Sequence, residues 1–124
     1  MLEKLQMYIN GEWVDSHSTE TIEVMNPSDD SVLGVITAGN SDDVDKAVAA
    51  AKAAFVDFSF STKDERVLIL ENIITEYEKR SEELAETISK EMGAPIWLSQ
   101  VAQVASGLTH FKDCLLYTSP SPRD

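Results

Sequence analysis

The hydrophobic period changes once along this chain, and that change sets the fold class. Up to about residue 38 the apolar residues fall in short β-type runs. From Ser41 to Phe58 they fall at Val44, Ala47, Val48, Ala51, Ala54, Phe55 and Phe58. Intervals of three and four place these side chains on one stripe of a helix. A chain that begins as strands and continues as helices reads as mixed α and β, with its β part first.

In the β part, "MYINGEWV" carries the sharpest local signal. Asn10-Gly11 is a favoured type I′ dipeptide, because both residues accept positive φ. Tyr8-Ile9 before it and Glu12-Trp13-Val14 after it suit strands, so a β-hairpin is predicted. "TIEVMNP" reads as a third strand ending in a turn at Asn26-Pro27, and "SVLGVITA" as a fourth. The first third is expected to be a small antiparallel β region.

Helix starts and stops are marked. Ser41, Asp42 and Asp43 suit an amino-terminal turn, where carboxylates meet unsatisfied amides. Thr62 and Glu65 form a capping box ahead of a face with Leu70, Ile73, Ile74 and Tyr77. Lys79 and Arg80 lie at its far end. A third helix begins at Ser81, carries Leu84, Ala85, Ile88 and Met92, and is stopped by Gly93 and Pro95. A fourth pattern from about Ile96 to Lys112 puts Trp97, Val101, Val104, Ala105, Leu108 and Phe111 on one side.

Composition narrows the function classes. The 124 residues suffice for one modest core, and 10 basic against 22 acidic side chains give a net charge of -12. Such a balance repels nucleic acid and anionic lipid, so neither is an expected partner. The single cysteine forms no internal disulfide, and "MLEKLQMYINGEW" holds no apolar run of signal-peptide or membrane-span length, which points to the cytoplasm.

Residue by residue, no active site emerges. His17 in the polar turn "DSHSTE" and His110 beside Lys112 read as surface histidines. No HExxH pattern or Cys/His cluster suggests a metal. Gly11, Gly34, Gly39, Gly93 and Gly107 are too scattered to cradle a phosphate. The pairs Asp42-Asp43 and Glu82-Glu83 serve helix starts, and Trp13 and Trp97 are expected to be packing residues. The site assignment is therefore empty: catalytic none, cofactor-binding none, metal none.

Several segments nevertheless arrive in one fixed order: "YINGEWV", "NPSDDSVLGVITAGNSDDVDKAVAAAKAAF", Arg66 with its following stripe, and "EMGAP". From Tyr8 to about Asp113 the set resembles the amino-terminal part of the NAD(P)-dependent aldehyde dehydrogenase superfamily. Two departures are visible. Phe58 stands where the family often has Trp, and "EMGAP" replaces a common glycine-lysine version.

The resemblance implies an α/β fold, α+β as a fragment, in which a hairpin, strands and four helices form part of the cofactor-binding domain. It implies a parent that oxidises an aldehyde to a carboxylate with NAD or NADP and assembles as a homo-oligomer. In that family a cysteine thiolate attacks the aldehyde, hydride passes to nicotinamide, a glutamate activates water and amide donors hold the oxyanion. Those elements lie further along a longer chain, so no catalytic residue is carried over and no tight cofactor binding is expected here. Some members hold a monovalent cation through a carboxylate matching Glu91 and a carbonyl near Met25, with a third contributor that this chain lacks.

Residues 114–124, "CLLYTSPSPRD", resemble the in-frame translation of a transposase adapter used in short-read sequencing libraries. The expected division is residues 1–113 as the aldehyde dehydrogenase segment and 114–124 as a non-native tail. Cys114 is then not the family nucleophile. A second reading, from another functional class, is a self-sufficient acidic helical module that binds a partner protein through its apolar stripes.

Overall fold

The computed structural model describes residues 2–118, and the chain divides into two compact units, residues 1–60 and 61–124. In the first unit, β1 (Leu2–Lys4), β2 (Gln6–Ile9), β3 (Glu12–Asp15), β4 (Thr21–Met25) and β5 (Val32–Thr37) precede α1 (Ser41–Phe58). The hairpin forms as predicted. β2 and β3 pair antiparallel from Gln6–Asp15 to Ile9–Glu12, and Asn10 and Gly11 turn with φ of 56° and 81°. Tyr8 and Trp13 face each other across it, ring centroids 5.2 Å apart.

The second sheet has the order β1-β5-β4 and is mixed. β4 and β5 pair antiparallel, but β1 lies parallel to β5, Leu2 opposite Gly34. An all-antiparallel region is therefore corrected. Leu-Glu-Lys has no alternation to announce a strand. What admits it is Gly34, where a Cβ would stand 2.5 Å from the Leu2 carbonyl oxygen. The β4–β5 turn is tied by Asn26, whose N–H donates to Ser31 O at 2.8 Å, with Asp30 at φ 57°.

α1 spans the predicted residues, and its cap is Asn40. The Asn40 side chain accepts from the Asp42 and Asp43 N–H groups, while Asp43 accepts from the Asn40 N–H at 3.0 Å. α1 packs on β2, where Ile9 is buried. Much of the predicted stripe is exposed, including Val44, Val48, Phe55 and Phe58.

The second unit holds α2 (Lys63–Lys79), α3 (Ser81–Met92), α4 (Ile96–Leu98), a π-helical turn (Ser99–Val104) and α5 (Ala105–Thr118). Thr62 and Glu65 close the predicted capping box reciprocally, at 2.7 Å and 3.2 Å. Thr62→Ala is expected to cost about 1 kcal/mol, read as a lowered midpoint in thermal or urea unfolding followed by circular dichroism. No change in midpoint would show that the box is dispensable. Gly93 ends α3 in the left-handed region, φ 69°, as predicted.

The fourth helix runs past its predicted end to Thr118, in phase with only half of its predicted stripe. The π turn spans Ser99–Val104 and interrupts the regular spacing between Trp97 and Phe111. Val104 is 3% exposed, whereas Trp97 and Val101 are exposed. Trp13 is exposed as well, its ring meeting Tyr8 at the surface, so neither tryptophan is buried within its unit. The π-to-α junction is held by the Tyr77 hydroxyl, which donates to Val104 O at 2.9 Å. Among the described residues the buried hydrophobics are Ile9, Ile74, Ala85 and Val104, a small core for so many apolar side chains.

Candidate functional site

The densest polar cluster centres on Asp43, which the first turn of α1 places beside the loop after β3. Asp43 is 4% exposed, and its carboxylate accepts from the Ser16 hydroxyl at 2.5 Å, the His17 N–H at 2.9 Å and the Asn40 N–H at 3.0 Å. The Ser16 hydroxyl, then the two backbone donors, hold its pKa down to about 2. Serine, histidine and aspartate meet here, but not as a nucleophilic triad. A triad needs the carboxylate on the imidazole and the imidazole on the hydroxyl. Here His17 offers its backbone and Ser16 bonds the carboxylate directly, so the cluster ties a loop to a helix.

The cluster was not foreseen. Its signal in the sequence was the Asn40-x-x-Asp43 spacing of a capping box; the link to Ser16 crosses 27 positions, beyond the reach of local pattern.

The remaining candidates stay apart from one another. His17 is exposed. His110, exposed on α5, lies 3.5 Å from Ser106 Oγ through Nε2. Cys114 is exposed near the end of α5, and residues 119–124 of the predicted tail lie outside the described residues. Glu91 is exposed on α3 and Met25 at the end of β4. Among the described residues no group of three or more His, Cys, Asp or Glu could hold a metal ion. The pairs Asp42-Asp43 and Glu82-Glu83 sit in the first turns of α1 and α3, as predicted. Arg66 grips the preceding turn through Ser61 O at 2.5 Å.

A concavity of about 530 Å³ lies in the second unit, walled by Ile69, Ile73 and Tyr77 of α2, Leu84 of α3 and Phe111 of α5, with Asn72, Glu76 and Arg80 also lining it. Tyr77 and Phe111 meet at 6.0 Å between ring centroids. Of its polar lining, Glu76 is paired with Lys79 and Arg80 with Glu83, and most of the remaining wall is apolar.

Residues 13–118 match the profile of the aldehyde dehydrogenase family. The chain belongs to that family. A Staphylococcus haemolyticus protein assigned to the aldehyde dehydrogenases is 46% identical over 108 residues, which are 87% of this chain and 23% of that protein. The aldehyde dehydrogenase of Bartonella henselae superposes with a TM-score of 0.92 at 41% identity, covering 95% of this chain and 25% of its own. Aldehyde dehydrogenase C of Pseudomonas syringae, solved as a variant with NAD+ and octanal, gives 0.90 at 34% identity, over 94% and 24%. This aldehyde dehydrogenase segment thus spans about a quarter of the length of the relatives it matches. Its strands and four helical stretches are those of the family's fold, and the reading as an independent partner-binding module finds no support. Among the described residues no helix is long and apolar enough to cross a membrane.

Proposed function

We propose that this polypeptide is the amino-terminal structural part of an aldehyde dehydrogenase that oxidises an aldehyde to a carboxylic acid in the cytoplasm, with NAD or NADP as hydride acceptor. One observation carries the reading: 46% identity over 87% of the chain falls on 23% of the relative's length. The NAD+ and octanal bound in the Pseudomonas syringae neighbour support the cofactor and substrate classes. The parent is a homo-oligomer, and nucleic acid and membranes are not among its partners.

Within this reading, residues 1–113 position other parts of the enzyme and do no chemistry themselves. Residues 114–124 derive from adapter DNA, so Cys114 receives no role. The chain alone is inactive and binds no dinucleotide tightly. Its carboxylate cluster is saturated by backbone and serine donors, and Arg80, the cation lining its groove, is already paired with Glu83 at 2.9 Å.

The test is direct. The purified chain is incubated with NAD or NADP and with short and aromatic aldehydes, and absorbance of the reduced nicotinamide is followed. The expected rate equals that of a heat-killed control. Turnover above that control would contradict the proposal.

A further inference from the structure

We infer that the groove between α2, α3 and α5 is an internal seam of the parent enzyme, filled by an apolar element of the polypeptide beyond this segment. The inference rests on the proposed parent and adds which face that parent covers.

Three observations carry it. Ile69 and Ile73 are 44% and 39% exposed although both point into the concavity, so the unit presents this apolar surface uncovered. Uncovered apolar concavities of this kind mark contact surfaces rather than solvated ones. Its shape is fixed, because Tyr77 is anchored to Val104 O and leans on Phe111, leaving a formed socket. Polar residues line one margin of the same groove, where Glu76 pairs with Lys79 at 2.6 Å and Arg80 with Glu83 at 2.9 Å. These exposed pairs satisfy each other without help from an occupant, and beside Asn72 the rest of the lining is aliphatic or aromatic, so the occupant is mainly apolar.

The occupant follows from length. The chain is 23% of its Staphylococcus haemolyticus relative and superposes on 25% of the Bartonella henselae enzyme. Three quarters of such a molecule lie outside the segment, a far larger supply of apolar surface than any small ligand offers. A second copy of this chain is the competing occupant, and a net charge of -12 opposes that association.

The experiment grafts this chain in place of the matching segment of the Staphylococcus haemolyticus relative and compares three versions: unaltered, Ile73→Lys, and Thr75→Lys as an exposed control on α2. Soluble yield and gel filtration are read together with activity. Ile73→Lys is expected to lower soluble enzyme at least about tenfold, because a buried lysine is left without a partner. Thr75→Lys is expected to stay within about twofold.

In the isolated chain, Ile73→Lys should leave the helical circular dichroism unchanged, since lysine is a good helix former at an exposed site. It should also reduce binding of a hydrophobic dye. Three results would overturn the inference: a soluble Ile73→Lys graft equal to the unaltered one, a parallel loss in the Thr75→Lys control, or a dimer of the isolated chain that Ile73→Lys dissolves while sparing the graft. An unaltered graft that is soluble but inactive counts against the proposed activity alone, because solubility still reads the groove.

Discussion

Gly107→Val is expected to destabilise the unit of residues 61–118 by about 3 kcal/mol, against the direction that helix propensity gives. A glycine within a helix weakens it by roughly 0.5–1 kcal/mol relative to alanine, so adding a side chain should ordinarily help. Here the added Cβ would land on the Tyr77 hydroxyl. Overpacking costs about 1–3 kcal/mol, and expelling Tyr77 also breaks its bond to Val104 O, worth roughly 1 kcal/mol.

Urea unfolding measures the sum, and a second background isolates its cause. Tyr77→Phe should cost only about 1 kcal/mol, the hydroxyl's share. With Tyr77→Ala in place, Gly107→Val should become nearly harmless, because the two residues share one contact. An equal cost in both backgrounds would mean that the clash is not the mechanism.

Asp43→Asn is expected to weaken the first unit at neutral pH, with a penalty that vanishes on acidification. Asp43 has a folded pKa of about 2, held down chiefly by the Ser16 hydroxyl and then by the His17 and Asn40 N–H groups. Unfolded, a carboxyl of this type titrates near about 3.9. A depressed folded pKa contributes stability that is fully present above the unfolded value and is lost as pH falls through the folded one. The difference in melting temperature between the native chain and Asp43→Asn should therefore be constant above about pH 5 and close to zero near pH 2. A gap that widens with acid would overturn this account of the cluster. Asp29 and Glu65 are also lowered, by Ser31 and by the Thr62 N–H, and they steepen the acid response of both proteins equally.

Local grammar was the legible part of this molecule. Asn10-Gly11, Thr62 with Glu65, Gly93 and the helical period of α1 each act within a few residues, and each gives the predicted local structure, although much of the α1 stripe is exposed. What escaped was set by distant partners. Strand β1 exists because Gly34, 32 positions after Leu2, has no side chain. The π turn exists against a regular apolar spacing, with Tyr77 bonded to its last carbonyl from another helix. Trp13 and Trp97 illustrate a different limit, since periodicity says which side chains share a face and not what covers that face. Of the candidate site, only the Asn40-x-x-Asp43 spacing was local enough to read, while the rest of the Asp43 cluster needed the loop after β3 folded against α1.

The central proposal is that this chain is an amino-terminal part of an aldehyde dehydrogenase, about a quarter of its relatives' length, joined after Asp113 to foreign sequence. Contiguous genomic DNA through the locus tests it most directly. The account expects the reading frame to leave "CLLYTSPSPRD" behind at residue 114 and to continue with further helix, then a "PWNxP"-like strand and the family's glutamate and cysteine. A genomic reading frame that retains those residues and stops after Asp124 would contradict it.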